Sequence, residues 1–342
     1  MNCPLPTSRY EAVTLAHGGG GTLTEALIRD LFLPAFGSPA HALHDASPVE
    51  LACGRLALTT DSYVVQPLFF PGGDIGKLAV AGTVNDLLMA GACPVALTAG
   101  FILEEGLLLS DLRRVADSMR READTAGVSI VAGDTKVVPR GHGDRLYLNT
   151  SGVGHILTPA PLTPESIRPG DSILLTGDIG RHGMAVMAKR NGLNFDPPIA
   201  SDCAALQAPF LDLFQNGPIP HCARDLTRGG LGGALVELAA AARLNFEIEE
   251  TQIPILPPVQ AACDLLGFDP LFVANEGCAA VFVRPDQSEA ALAVLGRHTE
   301  TARAVRIGHV LEETQGVVTS RTSLGTVRRL RAPSGEQLPR IC

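Results

Sequence analysis

The chain has 342 residues, of which 46% are hydrophobic and 18% charged, and this is enough apolar material for two ordinary domains. Its formal net charge of −9, without any basic run, argues against binding of nucleic acids or anionic membranes. No apolar stretch approaches the roughly 20 residues of a membrane span, and the first residues lack the pattern of a signal peptide.

The predicted elements of the first half alternate between helices and strands. Helices are predicted at 22–36, 76–91 and 110–126, the last one capped by Ser110 and ended by Gly127. Strands are predicted at 55–65, 95–103, 128–138 and 146–156, where β-branched residues recur and apolar positions alternate.

Residues 157–169 contain four prolines and little periodicity, so the domain boundary is predicted there. The second half repeats the mixture, with strands at 172–175, 245–249, 278–283 and 305–310 and helices at 183–191, 204–214, 229–242, 259–266 and 287–298. The fold class is therefore α/β (α+β), with an N-terminal domain at 1–157, a C-terminal domain at 158–331 and a tail at 332–342.

Eight cysteines are scattered along the chain without a Cys-x-x-Cys pair. In a long chain without a signal sequence, this predicts reduced thiols in the cytoplasm rather than disulfides or a zinc site. Most of the internal cysteines are expected to be small buried hydrophobic residues.

The tail is polar, contains Pro and Gly, and ends in Cys342. Such a segment buries little apolar surface and is expected to be mobile. Ten extended residues could carry the sulfur about 30 Å. The tail is either a frayed terminus with an accidental thiol or an arm that carries a group between two sites.

A run of glycines, Gly18, Gly19, Gly20 and Gly21, opens onto the first predicted helix. Consecutive glycines let backbone N–H groups approach an anion, and the helix dipole adds to the attraction. The alternative is a plain flexible loop. Lys77 lies in the first turn of the next helix, where it would contact a phosphate or remain solvated.

Four aspartates are predicted at the ends of strands and in short polar turns: Asp61, Asp86, Asp134 and Asp225. Each one alone is most simply a turn or cap residue. Together, beside a phosphate-type loop, they predict a nucleotide and magnesium site, because Mg²⁺ prefers a few carboxylates and phosphate oxygens. Lys136 in an apolar strand and Glu276 just before another strand are also expected to be paired or functional.

Several segments together resemble the HypE family of hydrogenase maturation proteins, within the PurM-like (AIR synthetase-related) superfamily. They are TTDSYVV at 59–65, PLFFPGGDIGKLAV at 67–80, GDTKVV at 133–138, RDLTRGG at 224–230, ANEG at 274–277 and the terminal PRIC at 339–342. The sequence departs from the family pattern at Arg181, where Asp is common, and at Leu226, where Ala is usual.

The resemblance implies a two-domain ATP-binding fold and a homodimer formed through the N-terminal domains. A HypF-type carbamoyltransferase would load Cys342, this protein would use ATP to dehydrate the thiocarbamate to a thiocyanate, and a HypC–HypD complex would receive the cyano group. That group would become a cyanide ligand of the [NiFe]-hydrogenase iron.

The predicted roles follow from the resemblance and the residues together. Lys136 and Glu276 would handle protons, and Cys342 would be the covalent carrier. The predicted nucleotide contacts are Gly18, Gly19, Gly20, Gly21, Lys77, Asp61, Asp86, Asp134 and Asn275, and the predicted Mg²⁺ ligands are Asp45, Asp61, Asp86, Asp134 and Asp225.

Two other functions are compatible with parts of the sequence. Selenophosphate synthetase or thiamine-monophosphate kinase, from the same superfamily, would share the acidic segments. A carrier or scaffold would present Cys342 to partners, with ATP acting as a conformational switch.

Overall fold

The computed structural model describes residues 10–19, 22–36, 54–160, 162–331, 338 and 341. Four residues of the predicted site lie outside the described residues: Gly20, Gly21, Asp45 and Cys342. The predicted helix at 22–36 is one helical stretch, formed by α1 (Thr22–Leu27), a π-helix (Ile28–Phe32) and α2 (Leu33–Phe36).

The N-terminal half continues with a mixed set of strands and helices. They are β1 (Leu56–Tyr63), β2 (Phe69–Phe70), β3 (Gly73–Asp74), α3 (Ile75–Met89), β4 (Ala92–Glu104), α4 (Leu109–Thr125), β5 (Ser129–Val138) and β6 (Leu146–Ile156). In the described residues, the sheet has the order β1-β6-β4-β5, so that β1 and β5 are its two edges.

Helix α3 covers one face of this sheet and is buried on nearly all sides. Asp74 caps it by accepting hydrogen bonds from the amides of Gly76 and Lys77 at 2.8 and 3.2 Å. The opposite face of the sheet is open. On this face Leu58 is 79% exposed to solvent and Ile102 is 44% exposed.

The predicted cap of α4 is wrong. The helix begins at Leu109, and the residue before it, Leu108, makes no side-chain cap. The amide of Leu109 donates instead to the carbonyl oxygen of Glu11 at 2.9 Å. An orphan helix donor is thus satisfied by distant backbone, which the local sequence does not reveal. Gly127 follows the helix with φ 63°, as predicted.

The C-terminal half forms a larger mixed sheet. Its elements are β7 (Ser172–Leu175), α5 (Arg181–Arg190), α6 (Gln207–Asn216), β8 (Cys222–Asp225), α7 (Gly230–Ala242), β9 (Phe246–Glu249), α8 (Pro257–Leu266), β10 (Ala279–Val283), α9 (Ser288–Leu295), β11 (Val305–Val310), β12 (Val318–Arg321) and β13 (Val327–Arg329). The order in the described residues is β13-β12-β9-β11-β7-β10-β8.

The two halves share an apolar core. One cluster contains Leu97 and Val115 of the N-terminal half together with Phe210 and Val281 of the C-terminal half. The boundary expected after residue 157 falls between β6 and β7, and the domain limits stay a prediction.

The burial of the described cysteines agrees with the sequence analysis. Five described cysteines are unpaired, and four of them are buried: Cys203, Cys222, Cys263 and Cys278. Across the described part of the chain, no helix combines the length and apolar character that a membrane crossing needs.

Two residues of the expected mobile tail are described, and both are packed. Ile341 is 2% exposed, and Leu338 lies against the apolar cores. These two apolar side chains pack against the folded domain, which the polar composition of the tail does not indicate.

Candidate active site

A cavity of about 570 Å³ lies at the junction of the two halves. Strand β1 and helix α3 line it from one side, and β8, the segment that follows β8, and Leu238 of α7 line it from the other. Four of the predicted acidic residues lie in its wall: Asp61, Asp86, Asp225 and Glu276. Long-range folding therefore joins carboxylates that lie more than 200 residues apart in the chain.

Two of these aspartates do not lie in turns, contrary to the prediction. Asp61 lies within β1, and Asp86 lies within α3. Thr59 and Asp61 share a face of β1 because side chains alternate along a strand. That face is turned toward α3, and the Thr59 hydroxyl donates to Asp86 Oδ2 at 2.7 Å. The small residues of α3 allow the close approach that brings the two elements together.

Asp225 is the last residue of β8, and its side chain is only 14% exposed. Burial, together with the nearby Asp86 carboxylate, raises the pKa of Asp225 to about 6. Burial also raises the pKa of Asp86, although the Thr59 hydrogen bond opposes the shift. Both shifts have the same cause, which is negative charge held away from water.

Glu276 is 3% exposed, and its Oε1 has no hydrogen-bond partner among the described residues. Burial, followed by the charges of Asp225 and Asp202, raises its pKa well above the usual range. Its backbone is held by Asp202 Oδ2, which accepts from the amides of Glu276 and Gly277 at 3.1 and 3.0 Å. A Cβ atom at Gly277 would lie 2.0 Å from the Asp202 carbonyl oxygen, so this approach requires glycine.

Asn275 has a structural role among the described residues, and its predicted contact with a nucleotide stays a prediction. Its Oδ1 accepts from the Gly180 amide at 2.6 Å. Its Nδ2 donates to the carbonyl oxygens of Val273 and Leu226 at 3.0 and 3.3 Å. The buried amide thus joins three loop segments, and it lies outside the lining of the cavity.

Lys136 and Asp134 lie away from the cavity. Both are exposed on the open face of β5, and Asp134 is inside this strand rather than in the predicted turn. Their strand partners in β4 are Ile102 and Gly100. Because β5 and β1 are separated by two strands, the two edges of the sheet are about 14 Å apart.

The described part of the glycine run lies next to β5. Gly18 ends a 3₁₀-helix, and a Cβ atom there would lie 2.7 Å from the Val137 amide nitrogen. The glycine segment is thus near Lys136 rather than near the acidic cavity. Lys77 also lies outside the lining, with its Nζ 3.4 Å from the Gly72 carbonyl oxygen.

Three polar residues of the cavity were assigned no role by sequence reasoning: Arg224, Thr227 and Arg228. The signal was present, because all three belong to the RDLTRGG segment. The charges of Arg224 and Arg228 act to lower the pKa of Asp86. They supply the positive charge that an acidic phosphate-binding site needs.

The two departures from the family pattern have structural explanations. Arg181 lies 2.6 Å from Asp178 Oδ1, and Arg303 lies 3.0 Å from Asp178 Oδ2, so two guanidinium groups neutralise one buried carboxylate. Leu226 is fully buried in the C-terminal core, as expected of a packing change.

The cavity fits a cation that is held jointly with another ligand. In the described residues, no three His, Cys, Asp or Glu side chains converge closely enough to hold a metal by themselves. The raised pKa of Asp225 and the Oε1 of Glu276, which has no partner among the described residues, nevertheless indicate an excess of acidic groups. The positively charged side chains of the cavity do not balance them. Mg²⁺ bound by one or two carboxylates and by phosphate oxygens satisfies both observations.

Comparison with known proteins identifies the family. Two domain families of the AIR synthase related proteins match the chain. The N-terminal domain family matches residues 44–156, and the C-terminal domain family matches residues 168–321. The chain is 47% identical over 332 residues to carbamoyl dehydratase HypE of Rhizobium leguminosarum bv. viciae, which covers 96% of this chain and 95% of the relative. The chain belongs to the HypE family of carbamoyl dehydratases.

Solved HypE structures have the same fold. A HypE crystallised in complex with ATP superimposes with a TM-score of 0.92 and 45% identity, covering 96% of this chain and 99% of that one. The HypE-type chain of a HypE–HypF complex matches with a TM-score of 0.79 and 44% identity, covering 90% and 100%. The predicted two-domain PurM-like fold is confirmed, and the HypE family is favoured over other enzymes of the superfamily.

Proposed function

We propose that the cavity binds Mg·ATP and that this protein uses it to dehydrate an S-carbamoyl group on Cys342 to a thiocyanate. The observation that carries the proposal is the convergence of Asp61, Asp86, Asp225 and Glu276 on one cavity. Oε1 of Glu276 has no hydrogen-bond partner among the described residues. A HypE relative crystallised with ATP supports the choice of nucleotide.

The chemistry defines what the protein must supply. The carbamoyl oxygen attacks the γ-phosphorus of ATP, an O–P bond forms, and the bond to ADP breaks. One N–H proton leaves as the C=N bond forms, and the second leaves as phosphate departs and the C≡N bond forms. The products are thiocyanate, ADP and phosphate, so the site must orient phosphates and accept protons.

Glu276 suits the proton-accepting role. Its Oε1 is free of hydrogen bonds among the described residues and adjoins the cavity. Burial and the charges of Asp225 and Asp202 raise its pKa well above the ordinary range, which favours the protonated form. Positive charge that enters the cavity lowers this pKa and frees Glu276 to act as a base. A bound Mg²⁺ would also neutralise charge that develops on the phosphate oxygens.

We propose a homodimer that brings together two half-sites. Glu276 and three of the aspartates line the cavity, whereas Lys136, Asp134 and Gly18 lie at the opposite edge of the N-terminal sheet. Pairing of β1 of one copy near β5 of the second copy would place Lys136 beside Glu276 of the other chain. The exposed apolar side chains of Leu58 and Ile102 lie on the face that such a dimer would cover.

The partners follow from the same reaction. A HypF-type carbamoyltransferase would load Cys342, and a related HypE has been crystallised with HypF. A HypC–HypD complex that carries iron would receive the cyano group for the [NiFe]-hydrogenase. We place these steps in the cytoplasm, where the scattered thiols stay reduced.

The first experiment uses cyanate to carbamoylate the thiols of the purified protein, so that HypF is unnecessary. Mg·ATP is added, and the C-terminal peptide is analysed by mass spectrometry. ATP-dependent loss of one water from the adduct on Cys342 is the expected result. An unchanged adduct, with ATP binding demonstrated, would favour a carrier that only presents the thiol.

Two variants test the shared site. Lys136→Ala and Glu276→Gln should each bind ATP but fail to dehydrate. In a reassembled mixture of the two, half of the dimers are mixed and one of their two sites is intact, so about one quarter of the activity should return. No recovery, with mixed dimers demonstrated, would show that each site uses residues of one chain.

A further inference from the structure

The C-terminal tail makes a buried contact with His182, at the start of α5. Nε2 of His182 lies 2.9 Å from the main-chain oxygen of Ile341. Both residues are buried. Leu338 packs nearby, since a Cβ atom at Gly183 would lie 3.2 Å from its Cδ1. The accepting carbonyl belongs to the peptide bond that joins Ile341 to Cys342.

The direction of each hydrogen bond follows from the groups present. A carbonyl oxygen can only accept, so Nε2 of His182 carries a proton and donates it to Ile341. Burial lowers the pKa of His182 to about 4, so the ring is neutral and Nδ1 is an acceptor. Ser201 Oγ, at 2.9 Å from Nδ1, must therefore be the donor. It accepts in turn from the Cys203 amide at 3.0 Å.

His182 is held in this orientation from two more sides. The ring of Phe70 meets it edge-on, with 5.3 Å between the ring centroids. The amide of Ser201 donates to the Pro71 carbonyl oxygen at 2.8 Å. The imidazole is thus fixed by both halves of the molecule before it meets the tail, as a receptor for a main-chain group should be.

The segment that orients His182 also holds Glu276. Ser201 bonds to the imidazole, and the next residue, Asp202, accepts from the backbone amides of Glu276 and Gly277. The Glu276 charge also acts on the thiol of Cys203. The anchor of the tail and the buried glutamate therefore share three consecutive residues.

We propose that His182 is a positioning residue that anchors the tail through the peptide carbonyl preceding Cys342. This inference rests on the proposed function, in which Cys342 carries the reacting group. Because the imidazole contacts a main-chain oxygen of Ile341, the same anchor serves the free thiol, the thiocarbamate and the thiocyanate. The anchor limits how far the thiol can move from the segment that holds Glu276.

The test compares two amide side chains at position 182. The Nε2 of Gln in His182→Gln replaces the donor to Ile341, whereas the shorter Asn in His182→Asn keeps a polar group near Ser201 and leaves Ile341 without a donor. The alkylation rate of Cys342 by iodoacetamide is measured on the peptide 337–342, released by cleavage after Glu336. His309→Asn, at an exposed histidine of β11, is the control.

Alkylation should be roughly fivefold faster in His182→Asn, as expected for one lost hydrogen bond, and within about twofold of the wild-type rate in His182→Gln. Single-turnover dehydration of pre-carbamoylated His182→Asn should slow by a similar factor, with ATP affinity unchanged. A wild-type alkylation rate in His182→Asn would overturn the anchor. Equal acceleration in both variants would also overturn it, since only general packing would then be involved.

A variant of the tail covers the case in which His182→Asn does not fold. Leu338→Ser weakens the docked tail from the other side and lies outside every described helix and strand. It should also speed alkylation of Cys342, and an unchanged rate refutes docking. Alkylation needs no ATP chemistry. Failure of the wild-type protein to dehydrate its adduct would therefore reject the proposed function without affecting the test of the anchor.

Discussion

Replacing Asp225 by Asn should stabilise the free protein at neutral pH and weaken its binding of Mg·ATP. The pKa of Asp225 is raised from its ordinary 3.8 to about 6 in the folded protein. Folding therefore favours the protonated form. The stability that this group contributes is present below about pH 4 and is lost as the pH rises through about 6.

The size of the effect follows from the two pKa values. The raised pKa of Asp225 costs the folded state about 3 kcal/mol at pH 7 and roughly half as much at pH 5. The Asp225→Asn substitution removes this cost but weakens the side-chain hydrogen bond with Thr227. We expect a net gain of about 1–3 kcal/mol at pH 7 that falls by roughly half at pH 5.

The assay is urea unfolding at both pH values and at one protein concentration, with calorimetry for Mg·ATP binding. Asp134→Asn is the matched control, since it removes an exposed carboxylate and should change the free energy of unfolding by no more than about 0.5 kcal/mol. Affinity for Mg·ATP should fall at least about tenfold in Asp225→Asn. Loss of stability at pH 7, or a gain independent of pH, would refute the argument that the carboxylate is ionised against its burial.

Three further substitutions test other parts of the site. Asn275→Ala should lower the free energy of unfolding by about 2–4 kcal/mol, because the Gly180 amide and the Val273 carbonyl lose their partner, while calorimetry should show little change in ATP affinity. Leu58→Glu should give a folded monomer in sedimentation, whereas Leu324→Glu, at another exposed leucine, should remain dimeric. Glu276→Gln should keep ATP affinity but slow dehydration about 10²- to 10⁴-fold in single-turnover measurements, and a wild-type rate would exclude its role as a base.

Local sequence patterns predicted most of the elements. The limits predicted for β6, β7 and β11 coincide with the observed ones, because β7 is a short apolar run and β-branched or apolar residues recur between polar ones in β6 and β11. The sequence analysis missed β2, β3, β8, β12 and β13, which have four residues or fewer, and β12 and β13 are also polar. The hydrogen bonds of β12 to β13 and to β9, rather than composition, make these two segments strands.

The candidate site was predicted as a list of residue types, and the structure divided that list. Asp61, Asp86, Asp225 and Glu276 converge on one cavity, whereas Lys136 and Asp134 lie on the open face of β5. Sequence reasoning had joined Lys136 with Glu276. No local pattern indicates that two strands and a domain junction separate them within one chain.

The sequence by itself determined the alternation of helices and strands, the acidic residues that we propose for the chemistry, and the thiol that we propose as the carrier. These depend on local periodicity and on residue type, which short segments contain. Only the tertiary structure decided that Asn275 hydrogen-bonds to three loop segments and that His182 hydrogen-bonds to Ile341. Such contacts join residues far apart in the chain, and burial in the folded core gives them both their partners and their altered pKa values.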